Sequence, residues 1–187
     1  MGKNLGPANK RKGSAGEREF ANIFKANGFP LCKTSRLMSK GLDNAKVDLY
    51  GLPFNVQVKI GYPTGLPAIN IFNAMREGLT DNFLPDDLVH KRFSIIIHKY
   101  PGKGGRKRTP EETLVLMSEE HWIHFKRVTK YNKFGILWTK NLRGTSYKEL
   151  LQKHNTSHIK HTKRDGDVYI FPFDTFLETI KTVEKWL

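Results

Sequence analysis

The chain has 187 residues, with 32 Lys and Arg against 18 Asp and Glu, a formal net charge of +14. That length suits one domain with a sizeable core and falls short of the roughly 250 residues usual for a (β/α)₈ barrel. No apolar run approaches the roughly 18 residues of a membrane span, the first residues lack the apolar stretch of a secretory leader, and the one cysteine, Cys32, excludes an intrachain disulfide framework and a Cys-built zinc site. The expectation is an intracellular protein, cytoplasmic or nucleoid-associated and not secreted. The charge points to a polyanionic partner, nucleic acid first and a membrane surface second.

Residues 1–12 carry Lys3, Lys10, Arg11 and Lys12 and no acid, and read as a flexible basic arm. Ser14 with Glu17 three positions on has the pattern of a helix start. A helix over 15–26 follows, with Phe20, Ile23 and Phe24 as its apolar stripe and Gly28 as its stop. Residues 29–34 form a short strand and 35–46 a polar loop. Strands over 47–50 and 54–60 are separated by Gly51-Leu52-Pro53. In the second, Val56, Val58 and Ile60 share one face, and Gln57 and Lys59 the other.

A Gly/Pro-rich loop precedes a helix over 69–79. Phe93, Ile95, Ile96 and Ile97 predict a strand over 92–98 buried on both faces. A basic loop with Arg106, Lys107 and Arg108 leads to a strand over 113–117 and a short helix from Ser118 to about Phe125. From Lys126 to Arg164 there are eleven Lys or Arg and one acid, Glu149. A strand over 168–171 and an amphipathic helix over 175–186 complete the chain. The expected architecture is α/β (α+β): a mixed sheet of four or five strands flanked by helices over residues 13–125, with 126–187 a basic extension packed on that core.

Asp48 is an acid in an otherwise apolar strand, where a lone carboxylate is disfavoured without a partner. If the strands pair across the turn, Asp48, Gln57 and Lys59 converge at a sheet edge, within reach of Glu17. A hard divalent cation wants oxygen ligands. Glu17, Asp48, the Gln57 side-chain carbonyl and the Val58 backbone carbonyl would supply them, and Lys59 would hold or deprotonate a water aimed at phosphorus. The competing reading has Asp48 capping a turn, Lys59 extending to solvent and Gln57 on a half-exposed strand.

The segments Lys12-Gly-Ser-Ala-Gly-Glu-Arg-Glu-Phe20, Gly28-Phe29, Val47-Asp48-Leu49 and Val56-Gln57-Val58-Lys59 resemble the PD-(D/E)xK nuclease superfamily, closest to the archaeal-type and phage Holliday junction resolvases. The resemblance spans about residues 12–125. It implies a restriction-endonuclease-like sheet, a metal-binding Glu at Glu17, a metal-binding Asp at Asp48, a catalytic Lys at Lys59 and Mg²⁺, with Mn²⁺ as substitute. Ser39 is the nearest match to the family's loop serine. The family usually has Glu where this chain has Gln57, which removes one negative charge from the metal site.

Lys10, Arg11, Lys12, Arg36 and Lys40 flank the proposed site in sequence and are candidates for phosphate contact, as are Arg106, Lys107 and Arg108 and, further on, Arg143, Lys160, Lys163 and Arg164. Glu19 lies about 200° around the helix from Glu17, so only one of them faces the site. His154, His158 and His161 read as part of a polar segment facing nucleic acid rather than as zinc ligands, and Cys32 as a small buried hydrophobe. The leading function is a metal-dependent DNA endonuclease cutting branched DNA as a homodimer, with no organic cofactor and no membrane partner. Alternatives are a restriction-type, nicking or repair nuclease acting on duplex DNA, and a non-catalytic nucleic-acid-binding protein on a nuclease-like scaffold.

Overall fold

The computed structural model describes residues 6–61, 66–99, 113–133, 135–138, 151, 156–163 and 166–183. Helix α1 spans Gly6–Ala26, and a two-residue strand β1, Lys33–Thr34, pairs antiparallel with β2, Leu49–Tyr50. Between them lie two short helices, α2 (Ser35–Met38) and α3 (Lys40–Asn44). Strand β3 (Asn55–Ile60), helix α4 (Ala68–Asn82), strand β4 (Ser94–Lys99), strand β5 (Thr113–Ser118) and helix α5 (Glu119–Thr129) follow. Strands β6 (Gly135–Trp138), β7 (His158–Lys163) and β8 (Gly166–Pro172) lead into helix α6, Phe173–Lys181.

One six-stranded mixed sheet organises these elements, in the order β3-β4-β5-β8-β7-β6. The pairs β3–β4 and β6–β7 are parallel, and the rest are antiparallel. Side-chain alternation divides the sheet into two faces. Val56, Val58, Ile95, Ile97, Val115, Met117 and Phe171 point into a core with Phe20 and Phe24 of α1, Trp122 and Phe125 of α5, and Phe173, Phe176 and Ile180 of α6. Ile96, Leu114, Leu116, Val168 and Ile170 point the other way, onto Ala68 and Phe72 of α4. The predicted α/β layering is therefore present, with β4 apolar on both faces because helices cover both. The rings of Phe20 and Phe173 meet edge-on at 5.2 Å, and Phe54 stacks on Phe93 at 5.3 Å. Among the described residues no helix is long and apolar enough to cross a membrane.

The structure differs from the sequence-based expectation at five places, the first being the strand read over 29–34, of which only Lys33–Thr34 is extended, paired with β2. Residues 6–12 are helical, so the basic arm read over 1–12 is in part the first turns of α1, and Ser14 lies inside the helix instead of capping it. Pro7 sits in the first turn, where its missing N–H costs nothing. Gly13 and Gly16 do not end the helix, and Gly16 lets it approach β3 closely: a Cβ there would come within 2.5 Å of Ile60 Cγ1. Residues 35–46 hold α2 and α3 in place of an open loop. Residues 135–138 and 158–163 are strands, and β8 lies between β5 and β7, so the boundary expected at residue 125 is not a boundary of the sheet. The sheet accordingly has six strands, not four or five, and draws three of them from beyond that residue.

Candidate functional site

Strand β3 is one edge of the six-stranded sheet, and the chain around Asp48 runs beside it. Asp48 N donates to Val56 O at 2.7 Å, as a ladder bond would. One step along, the backbone is replaced by a side chain: Val58 N donates to Asp48 Oδ2 at 2.7 Å. The two segments fork at that point, with the carboxylate in the fork. In a strand the N–H and C=O of one residue point to the same side. The Val58 carbonyl therefore faces the same open edge as Asp48. On the far side, Asp48 O accepts from Ser35 N at 2.9 Å, and the Ser35 hydroxyl donates to Val47 O, so the fork is held from both flanks.

Burial pushes the Asp48 carboxyl up to about 7, and the nearby Glu17 and Asp43 carboxylates push in the same direction. The Val58 N–H and the Lys59 ammonium oppose the shift without cancelling it. Two carboxylates and one lysine thus act on a half-buried acid, a local surplus of negative charge in a protein of net +14. Such a site favours a cation.

Arg36 partly answers that demand. Its guanidinium lies 3.5 Å from Glu17 Oε1 and 3.7 Å from Asp43 Oδ1, and donates to Ser14 Oγ at 3.0 Å. The Glu17 side chain is 12% exposed and that of Arg36 46%, so the pair sits at the rim. Glu19 points elsewhere and pairs with Lys99 of β4. Of the two acids on α1, Glu17 is the one associated with Asp48. Lys12, nearer the start of α1, places its ammonium over Gly61 at the end of β3, where a Cβ would come within 2.7 Å of Nζ.

Gln57 is buried at 6% exposure on β3, and Lys59 is half-buried two residues on. Both lie on the strand face opposite Val56 and Val58. The oxygen donors brought together here are the Glu17 and Asp48 carboxylates and the Val58 carbonyl, with Gln57 adjacent on β3 but on the opposite strand face. This is a hard donor set, suited to Mg²⁺ or Mn²⁺ and unsuited to a thiolate-seeking metal. It contains only two carboxylates among the predicted ligands. Among the described residues, no group of three or more His, Cys, Asp or Glu side chains is placed to hold a metal ion.

The other predicted contact residues divide. Arg11, Lys12 and Lys40 are exposed on α1 and α3. Ser39 serves the local fold, since its hydroxyl caps α3 by accepting from Leu42 N at 3.3 Å. Lys160 belongs to a different region. It pairs with Asp167 at 2.6 Å and lies 3.7 Å from Glu119, beside a cleft of about 230 Å³ whose lining includes Arg76, Glu119, His121 and Asp167. Its strand, β7, is four strand spacings from β3, about 19 Å across the sheet. A lysine so paired and so placed does not serve the Asp48 edge. The side chains of Lys10 and Lys163, and all of Arg106, Lys107, Arg108, Arg143, His154 and Arg164, lie outside the described residues.

His158 and His161 sit on β7 instead of a helix. His158 is buried against the Trp122 ring at 4.5 Å, and burial pushes its imidazole down to about 4, which keeps it neutral. Cys32 is buried as expected, with its thiol pushed up to about 12 by that burial. Sequence reasoning missed Asp43, Ser14 and Ser35. Asp43 stood among Gly41 and Asn44 in an apparent loop, and its link to Arg36 depends on how α2 and α3 fold together.

Compared with protein-family models, with curated proteins and with solved structures, the chain has no significant match.

Proposed function

We propose that this protein is a metal-dependent DNA endonuclease of the PD-(D/E)xK kind, acting on branched DNA as a homodimer. The observation that carries the reading is the fork at β3. There a half-buried carboxylate, Asp48, takes a backbone N–H in place of a strand partner, beside Glu17 and Lys59 and on the same edge as the Val58 carbonyl. An ordinary turn cap has no need of a second carboxylate and a lysine around it. The resemblance drawn from sequence assigns roles to these same residues, and Arg11, Lys12 and Lys40 offer phosphate contacts around them.

In this reading Glu17, Asp48, the Gln57 amide oxygen and the Val58 carbonyl hold Mg²⁺ or Mn²⁺. The metal supplies positive charge against the scissile phosphate. The Lys59 ammonium would orient a water, whose proton passes to solvent as the oxygen attacks phosphorus. The bond to the 3′ oxygen breaks and that oxygen takes a proton from solvent, leaving a 3′-hydroxyl and a 5′-phosphate. Branched DNA as substrate follows from the resolvase resemblance, and two opposed cuts call for two-fold symmetry.

The test compares wild type with D48A and K59A on junction, flap, duplex and single-stranded DNA, with and without Mg²⁺ or Mn²⁺. Both variants should bind DNA and fail to cut. Cutting at the wild-type rate by both, in preparations free of contaminating nuclease, sinks the assignment. One specific observation favours a second reading, a non-catalytic DNA-binding protein: Gln57 stands where a third carboxylate is usual. Q57E separates the two. If Gln57 is a ligand in a working enzyme, Q57E saturates at lower Mg²⁺. If wild type is inert and Q57E gains cleavage, the natural protein binds without cutting.

A further inference from the structure

Helix α2 presents two apolar side chains to solvent directly beside the candidate site. Leu37 is 81% exposed and Met38 44%. The turn that carries them is pinned at both ends. Ser35 is buried and bonded to Asp48 O and Val47 O, Ser39 N donates to Ser35 O at 2.7 Å, and the Ser39 hydroxyl caps α3. Arg36, in the same turn, reaches Glu17 and Asp43. Leu37 and Met38 are therefore held at the rim of the Asp48 fork, displayed on a short and well-anchored turn.

The surroundings decide what covers them. Lys33, Lys40 and Lys46 are exposed around the pair, while Arg36 is already paired with Glu17 and Asp43. Lysine is depleted from the cores of protein interfaces. A second copy of the chain packed here across a two-fold axis would bring these cations face to face. A nucleic acid offers the complement, phosphates for the cations and base faces for the apolar tips. Leu and Met are among the side chains that proteins insert between base steps, unstacking them.

We infer that Leu37 and Met38 form an apolar wedge that contacts unstacked bases beside the Asp48 fork, so that the protein selects DNA whose stacking is already interrupted. The inference rests on the nuclease reading only for the identity of the occupant. An unstacked base costs less to engage at a branch point than inside a continuous duplex, because the stacking energy is already lost there. The wedge thus gives a physical basis for preferring branched DNA without any sequence readout.

The experiment uses the full chain without divalent metal, so that no strand is cut. It is titrated onto a four-way junction and onto a continuous duplex, each carrying 2-aminopurine, at the branch point or at the middle of the duplex. For wild type the fluorescence on the junction should at least double. In the L37A/M38A pair that rise should fall by more than half. Junction affinity should drop about tenfold, the order of one lost base contact, while duplex affinity and the salt slope stay within twofold of wild type. The pair L37Q/M38Q, run in parallel, should behave the same way. Melting curves control for folding, which these exposed positions should leave unchanged. An absent rise in wild type, or an undiminished rise in both pairs, overturns the inference. So does a wild-type dimer that sedimentation shows falling to monomers in the variants while the fluorescence rise persists, which would make the turn a self-association surface. Cleavage is scored separately with Mg²⁺. A protein that cuts nothing yet loses its fluorescence response with Leu37 and Met38 refutes the nuclease reading and keeps the wedge. Cleavage with no fluorescence change does the reverse.

Discussion

Replacing Asp48 by Asn should stabilise the protein at alkaline pH, and the size of the effect follows from the fork. The carboxyl has an ordinary value of 3.8 and is raised to about 7 by burial and by its neighbouring carboxylates. The folded state therefore holds the proton more tightly than the unfolded chain does. The stabilisation from that proton is complete below pH 3.8 and is lost progressively as pH rises to about 7, above which it no longer changes. At 1.36 kcal/mol per pKa unit, wild type should lose about 4 kcal/mol relative to D48N between pH 4 and pH 8. Asn keeps an oxygen to accept from Val58 N and carries no charge to desolvate. For a chain of this size the difference corresponds to a melting-temperature gain on the order of 10 °C for D48N at pH 8. The assay is a set of thermal melts of both proteins from pH 4 to pH 8, without metal. A constant difference across that range, or a D48N that melts lower at pH 8, refutes the argument that Asp48 is a half-buried and undercompensated charge. Adding Mn²⁺ at pH 8 should raise the melting temperature of wild type and leave D48N nearly unmoved, since the cation removes the same penalty that the substitution removes.

Four further outcomes follow. Gly78→Ala should destabilise by about 1–3 kcal/mol in denaturant titrations, despite the better helix propensity of Ala, because its Cβ would lie 2.6 Å from Ala45 Cα, a backbone atom with no room to move. Glu19→Gln, which breaks the pair with Lys99, should cost no more than about 1 kcal/mol, because Glu19 is 40% exposed. A fragment ending at residue 125 should fail to show a cooperative melt, since Phe171, Phe173 and Phe176 fill the core that α1 and β3 need. DNA affinity should fall with salt at a log–log slope of about −5 if some six phosphates are contacted; a slope near zero would assign the charge to another purpose.

The parts of the fold that could be read from sequence are those in which a local pattern is enough. Val56, Val58 and Ile60 alternating with Gln57 and Lys59 mark β3, and Ile95 to Ile97 mark a strand with apolar residues on both faces. The strand β7, His158–Lys163, escaped because its residues are polar and its partner β8 supplies the reason for its extension. The start of α1 was misplaced because Ser14 with Glu17 has the pattern of a helix start while the helix begins at Gly6, and Gly16 within it serves contact with β3. Strand order is a non-local property, which is why a unit ending near residue 125 looked self-sufficient. At the candidate site, residue types and spacing pointed to Asp48, Gln57 and Lys59, and the choice of Glu17 over Glu19 came partly from the family resemblance. The Arg36 link to Glu17 and Asp43 comes only from the packing of α2 and α3 against α1.

The position of β8 between β5 and β7 bears on how this protein is made. The residues of the candidate site lie within the first 60 positions and leave the ribosome early. Their supporting core stays open until residues 171–180 have emerged to lay Phe171, Phe173, Phe176 and Ile180 against α1 and α5. Those residues must also clear the ribosomal tunnel before they can fold back. A nascent chain with Glu17, Asp48 and Lys59 already synthesised thus lacks the scaffold that holds them in place, and the candidate site is assembled only in a molecule whose synthesis has passed its last core strand.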